Sequence, residues 1–353
     1  MSLVWREPLA LALLLVPVGM AASWWLTGRV RRHALASSLL DHPNERSSHT
    51  VPTPRGGGLG VVFPFVALVC ALGALGSIPV QMVLAISGGG LLVALVGFLD
   101  DRRPLAARWR FGAHCLASLM SLWLMGGIPP VPLFGFDVNL GWTGLALAAV
   151  YLVWMVNLYN FMDGVDAIAG VEAVTVALGG ALCWWLATGD PRWPLCFAFA
   201  ACAAGFLVWN TPPARIFMGD AGSGFMGFVL GVLSLWTAQN ATQVFWCWFI
   251  LLGCFVVDAT TTLVRRVRRG EKFHQAHRSH AYQYAARRIG SHGKVSLAVG
   301  AINLGWLLPL AVLVATKRLD GAAATALAYL PLVWLAFGLR AGDRAGQSQA
   351  PGR

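Results

Sequence analysis

Four aspartates stand where apolar helices should end. Asp100 and Asp101 close LLVALVGFLDD, Asp163 closes the run that begins at Asn157 in NLYNFMDGVD, and Asp220 lies in FMGDAGSG. Carboxylates are ligands for hard cations such as magnesium, which needs only one or two of them beside phosphate oxygens. Successive helical residues point about 100° apart, so Asp100 and Asp101 can leave one helix end toward different neighbours. That pair reads equally as a solvated helix end neutralised by Arg102 and Arg103. Asn157, Asn160 and Asp163 recur every third residue, which gathers them on one helical stripe. Gly164 then permits a break, and Asp166 follows. No basic residue lies in 161–166 to pair with these acids, which favours a site over interhelical bonding. Asp220 opens an apolar segment with Gly222, Ser223 and Gly224 behind it. Such a helix start offers N–H groups and a positive dipole end to phosphate, and it also reads as an ordinary capped start.

Basic motifs accompany the acids. The stretch 264–288, VRRVRRGEKFHQAHRSHAYQYAARR, carries His277, Arg278 and His280, with His274 nearby. If the segment is helical, His277 and His280 share a face. No cysteine or acid stands at zinc-ligand spacing, so phosphate contacts are the better reading. An anchor on anionic lipid explains the arginines from Arg265 to Arg269 but not the histidines. The stretch 41–58, DHPNERSSHTVPTPRGGG, offers Arg46, His49 and Arg55 to an anion, or is a plain connecting loop. Asp258, in FVVDATTT, either pairs with an arginine or joins the acids.

The elements that must hold these residues are apolar. Of 353 residues 57% are hydrophobic and 12% charged, about half the charge of a soluble domain. Apolar stretches near twenty residues recur throughout, the length that crosses a hydrocarbon core of roughly 30 Å. Eleven spans are expected, at 8–27, 58–76, 79–99, 111–127, 142–160, 167–188, 193–209, 222–239, 243–263, 294–315 and 321–339. The expected fold is all-α and polytopic, one membrane domain over 1–353; a barrel would need alternating strands of about ten residues. The first span carries its basic flank, GRVRR, on the wrong side for a signal peptide, and is read as a retained helix with its N-terminus outside. The seven cysteines fall within apolar spans, with no C-x-x-C pattern, and read as packing residues.

Net charge is +11. Eleven spans place loops 28–57, 100–110, 161–166, 210–221 and 264–293 and the C-terminal tail on one side. Counting Lys294 at the edge of its span, that side holds 22 of the 26 lysines and arginines, leaving Arg6, Arg192, Lys317 and Arg318 opposite. Basic loops stay cytoplasmic, and every polar motif above falls on that face.

In this order, DHPNERSSHTVPTPRGGG, GFLDD, NxxNFMDGVDAIAG, FMGDAGS and the histidine-rich loop resemble the polyprenyl-phosphate N-acetylhexosamine-1-phosphate transferases, glycosyltransferase family 4. The resemblance runs from Asp41 to about Arg288. It implies an inner-membrane enzyme with its active site toward the bacterial cytoplasm. Undecaprenyl phosphate would attack the β-phosphorus of a UDP-N-acetylhexosamine with magnesium bound, manganese being a substitute, and UMP would leave. It implies Asp220 as a magnesium ligand, with Asp163 and Asp100 as further candidates, and Asn160 near the diphosphate. Asp100 and Asp101 would flank the reacting phosphates, with Asn157 and Arg55 as further substrate contacts. Asp166 would contact uracil, with Phe217 as a stacking surface, and His277, Arg278 and His280 would hold phosphate or sugar. A homodimer is also implied; nucleic acid is not a partner.

HRSH stands where the peptidoglycan branch, the phospho-N-acetylmuramoyl-pentapeptide transferases, usually carries three histidines. The loop is closer to the O-antigen branch, with UDP-GlcNAc or a 6-deoxy sugar such as UDP-FucNAc or UDP-QuiNAc as donor. The acceptor is a phosphate monoester with a second pKa near 6, so it is largely ionised already. An aspartate general base would therefore add little. A transporter of a phosphorylated sugar is the rival from another class, but transporters place ionisable groups near the bilayer midplane, and here they gather at helix ends.

Overall fold

A computed structural model of the chain describes residues 6–37, 39–41, 51–271 and 277–343. Backbone polar groups in hydrocarbon must be satisfied within their own segment, so the apolar runs fold as helices. In chain order these are α1 (Arg6–Ala36), α2 (Leu59–Ala74), α3 (Val80–Arg102), α4 (Ala107–Leu124), α5 (Gly141–Met162), α6 (Ile168–Thr188) and α7 (Pro194–Asn210). Then follow α8 (Asp220–Ala238), α9 (Val244–Leu251), α10 (Gly253–Arg268), α11 (Ala281–Ile289), α12 (His292–Ile302), α13 (Leu308–Ala315) and α14 (Gly321–Gly338). A π-helical turn, Asn303–Leu307, joins α12 to α13. Two short antiparallel ribbons complete the described elements. β1 (Leu40–Asp41) pairs with β2 (Thr53–Pro54), Leu40 opposite Pro54, and β3 (Val131–Leu133) pairs with β4 (Phe136–Val138), Val131 opposite Val138.

The all-α expectation holds, and each expected span falls on a helix or a broken helix. By length and composition, seven helices can cross a membrane, or eight when the bent pair α9–α10 is one span. Helices α2 and α7 are apolar but shorter, and α4 carries Arg108 and Arg110 in its first turn. Two features escaped the apolar pattern. α1 runs nine residues past its expected end, through the basic GRVRR, and the loop after α10 contains the amphipathic helix α11.

α8 is the hub. Every residue from Ala221 to Ala238 is buried, and the helix packs on α2, α3, α5, α6 and α9. Its small residues allow this, since backbones can approach only where side chains are short. A Cβ on Gly222 would lie 2.5 Å from the Cα of Gly58, before α2. The ninth expected span is bent by 68° where α9 meets α10. The bend directs α10 toward α11, so Asp258 meets the start of that helix.

Candidate active site

Helices α3, α5 and α8 end or begin together and carry the acids. Asp101, on the last turn of α3, reaches the start of α8 and accepts hydrogen bonds from the N–H of Asp220 at 3.1 Å and Ala221 at 3.3 Å. The next two N–H groups, of Gly222 and Ser223, bond to the carbonyl of Gly219. The expected phosphate cradle of free N–H groups at this helix start is therefore corrected: these donors are already engaged. Gly219 has φ +78°, and a Cβ there would sit 2.6 Å from Asp101 Oδ2.

Arg55 lies across the same acids. Its Nε is 2.9 Å from Asp101 Oδ1 and its Nη2 2.8 Å from Asp220 Oδ1. The loop bearing it is fixed by backbone bonds: Phe217 N–H donates to Pro54 O, Gly57 N–H to Phe217 O and Gly58 N–H to Met218 O. Burial opposes the charge on Arg55, but Asp101 and Asp220 outweigh it and raise the guanidinium pKa. Asp100 is not brought into this group. It accepts from Leu105 N–H at 2.6 Å and pairs with Arg110 Nη1 at 2.5 Å, fixing the turn from α3 to α4. The arginines that meet Asp101 and Asp100 are thus Arg55 and Arg110. Arg102, the neutraliser suggested by adjacency, lies over the Phe98 ring at 4.5 Å.

Asp163 caps the end of α5. It is partly open to the surface, yet burial pushes its carboxyl well above the usual carboxylate range. Asp220, Asp101 and Asp166 push the same way, and Arg55 opposes them. Among the described residues no hydrogen bond reaches the Asp163 carboxylate. Asn160 donates to Ser223 Oγ at 3.1 Å, tying α5 to the first turn of α8. Asn157 turns back on its own helix, to Val153 O. Asp166 is held at the base of this face: Ala214 N–H donates to it at 3.1 Å, and His292 Nδ1 lies 3.3 Å from its other oxygen. Phe217 is half-buried, with both backbone groups in the loop pairing above.

The histidines differ from one another. His280 is 3% exposed and its Nδ1 lies 3.2 Å from Asp258 Oδ1. Asp258 also accepts from Ala281 N–H at 2.9 Å and Tyr282 N–H at 3.0 Å, which starts α11. His280 is therefore a buried partner of Asp258, not an open contact for phosphate, and Asp258 pairs with a histidine rather than an arginine. His277 and Arg278 are half-buried, in a non-helical segment. The two imidazole centroids are nonetheless 4.9 Å apart, and His280 stacks on Phe161 at the end of α5 at 6.4 Å. This places the histidine loop beside the acids. Burial, then His280 and Arg266, lowers the His277 pKa to about 3, so its imidazole is neutral at pH 7. His274, Arg46 and His49 lie outside the described residues.

The group suits a hard dication in its chemistry. Asp163 and Asp220 are oxygen donors, and the acids around Asp163 raise its carboxyl pKa against one arginine, which favours a cation in place of the proton. Among the described residues no three side chains form a ready metal cage. Magnesium does not require one, since it keeps waters and substrate phosphates as ligands.

Sequence reasoning missed Arg110 and Asn210. Asn210, 4% exposed, accepts from Ala167 N–H at 2.9 Å and donates to Ile216 O at 3.0 Å, joining the loops that carry Asp166 and Asp220. Its signal was available: an amide in the motif NTPP at the end of an apolar helix.

Residues 83–238 match the profile described as glycosyl transferase family 4. The chain is 30% identical over 268 residues to a probable undecaprenyl-phosphate N-acetylglucosaminyl 1-phosphate transferase of Bacillus subtilis, covering 73% of this chain and 72% of that protein. It is 29% identical over 313 residues to a decaprenyl-phosphate N-acetylglucosaminephosphotransferase of Mycolicibacterium smegmatis, covering 77% and 76%. A phospho-N-acetylmuramoyl-pentapeptide-transferase of Moorella thermoacetica is 36% identical over a shorter stretch of 189 residues, 49% of this chain and 58% of that protein.

Proposed function

Since the chain belongs to glycosyl transferase family 4, the polyprenyl-phosphate N-acetylhexosamine-1-phosphate transferases, we propose that it transfers an N-acetylhexosamine 1-phosphate from a UDP-sugar to undecaprenyl phosphate. The products are undecaprenyl-pyrophosphoryl-sugar and UMP. UDP-GlcNAc is the first donor to test, because the Bacillus and Mycolicibacterium relatives carry N-acetylglucosamine in their names. The HRSH loop supports a role in starting O-antigen or another surface polysaccharide, with a 6-deoxy donor as the variant. The acid face is assigned to the cytoplasm, supported by the 22 lysines and arginines on that side. The observation that carries this reading is the convergence of Asp101, Asp163 and Asp220 on Arg55 beside the histidine loop.

In this reading an oxygen of the acceptor phosphate bonds to the β-phosphorus as its bond to the UMP oxygen breaks. Such a transfer needs positioning and charge stabilisation rather than covalent help. Asp163 and Asp220 would hold magnesium, which when bound would offset the charge of the donor's diphosphate. Arg55 offers its guanidinium to the same phosphates from a loop fixed by three backbone bonds. Asp101 holds the first turn of α8, and with it Asp220, in place. Asp100 and Arg110 fix the turn beside it. The acceptor arrives ionised at neutral pH, so no residue is required to remove its proton.

The test is UMP release by purified protein, with undecaprenyl phosphate, magnesium and a panel of labelled UDP-sugars, and Asp220→Asn as control. Release that needs the prenyl phosphate supports the reading. No UMP with any donor sinks it. Exclusive use of UDP-N-acetylmuramoyl-pentapeptide would move the protein to the peptidoglycan step, the reading that the Moorella relative favours.

A further inference from the structure

The segment that follows the last helix returns to the histidine loop. Gly342 N–H donates to the carbonyl of Ser279 at 2.6 Å. Arg265, near the end of α10, donates to Ala341 O at 2.5 Å and pairs with Asp343 at 2.6 Å, and Arg269 donates to Gly342 O. Ala341 is fully buried. Gly342 has φ +79°, and a Cβ there would stand 3.0 Å from Arg265 Cβ and 3.1 Å from Thr262 O. These are specific contacts, and they end on a residue that touches His277.

Ser279 makes that contact twice. Its hydroxyl is 3.0 Å from His277 Nδ1, and its backbone N–H donates to the same nitrogen at 3.4 Å. A backbone N–H can only donate. His277 Nδ1 is therefore an acceptor, and in the neutral ring the proton sits on Nε2. The partner on one ring nitrogen decides what the other can do.

We propose that Arg340–Asp343 is a positioning strap, which acts through Ser279 to hold His277 in its Nε2–H form as a hydrogen-bond donor to the sugar nucleotide's diphosphate. The strap bonds Ser279, and the buried Asp258 holds the adjacent His280. Ser279, Gly342 and Asp343 are positioning residues and touch no substrate. The role in catalysis rests on the transferase reading above; the tautomer does not.

The experiment uses the full chain in lipid nanodiscs, with Ser279→Ala, Ser279→Thr, Asp343→Asn, His277→Gln and the His277→Gln, Ser279→Ala double variant. The expected result for Ser279→Ala and Asp343→Asn is a fall in kcat of roughly tenfold, at the low end for partners that orient an imidazole. KM for prenyl phosphate stays unchanged, and Ser279→Thr recovers the rate. In the His277→Gln background, Ser279→Ala has no further effect. An equal loss there would overturn the proposal, because Ser279 would then act by another route. So would full activity of Ser279→Ala. Nitrogen-15 spectra of ring-labelled histidine supply an independent readout: the wild-type His277 signal is Nε2-protonated, Asp343→Asn shifts it toward a tautomer mixture, and Ser279→Ala, which keeps the backbone donor, shifts it less. Unchanged spectra also overturn the strap. If wild-type protein releases no UMP, the transferase reading falls, while the spectra still decide whether the strap holds the ring.

Discussion

Asp101 and Asp258 do the same local job in two places. Each is a carboxylate on one helix that accepts the first backbone N–H groups of another, α8 for Asp101 and α11 for Asp258. Their surroundings differ. Asp258 meets His280 and Thr262, which complete its hydrogen bonds. Asp101 shares Arg55 with Asp220, and Asp163 stands close enough for its charge to be felt. The first carboxylate is satisfied and serves as a joint. The second sits in a group with more acid than base, an arrangement that disfavours the empty protein and favours a cationic ligand. The capping contact is the same in both places, and only the neighbours differ: a buried histidine at Asp258, an arginine shared with a second acid at Asp101.

The largest test of this contrast is removal of the cation and its ligands. Chelation of magnesium should stop UMP release, and Asp220→Asn or Asp163→Asn should lower kcat by roughly 10²–10³, the range for lost charge stabilisation at a reacting group. Activity that survives chelation would break the functional half of the comparison. Next is a matched pair. Asp258→Ala leaves two buried N–H groups unpaired and should destabilise the chain by about 1–3 kcal/mol in reversible unfolding. Asp101→Ala removes two similar bonds and the pair with Arg55, but Arg55 keeps Asp220 and the repulsion with Asp163 and Asp220 is relieved, so its cost should be smaller. Equal costs would mean that the acid group is no more strained than the joint.

Asp100 sharpens the boundary of the functional region. Asp100→Asn should lower the rate by about tenfold or less and keep the shape of the pH–rate profile, whereas a general base contributes roughly 10²–10⁴. Recovery of the mutant as pH rises would restore the base role. The last test, on His277, is read in pH alone. Its folded pKa is near 3 and its ordinary value is 6.5, so below 6.5 the unfolded chain binds the proton first. Stability should therefore fall as pH drops from 6.5 toward 3, and His277→Gln should flatten that decline in thermal unfolding curves.

The helices and the acid face were legible because lipid demands long apolar runs and leaves charges only at their ends. Asp101 and Asp220 could be named for that reason. Their mutual contact could not, because 119 residues separate them and only the packing of α3 on α8 brings them together. The rotation of about 100° between Asp100 and Asp101 was also readable. Which of them would meet α8 depended on where that helix begins in space. His277 and His280 looked equivalent in HRSH, and they part company because the bend between α9 and α10 brings Asp258 under only one of them. The GDAGSG start suggested open N–H groups, since nothing nearby in sequence announces a cap from another helix. The short span count has a similar cause: composition marks α2 and α7 as apolar but does not say how far each penetrates.

The complete enclosure of α8 has a mechanical consequence. Helices answer changes in bilayer thickness by tilting or by deforming the lipid around them. α1 and α14 expose much of their surface, being 22% and 33% buried over their apolar windows, whereas α8 is 100% buried. A thicker or thinner bilayer therefore pulls first on the outer helices. Asp220, at the start of a helix whose other residues are all buried, feels that pull only through its packed neighbours, so the spacing of the acids is insulated from the membrane that supplies one of the substrates.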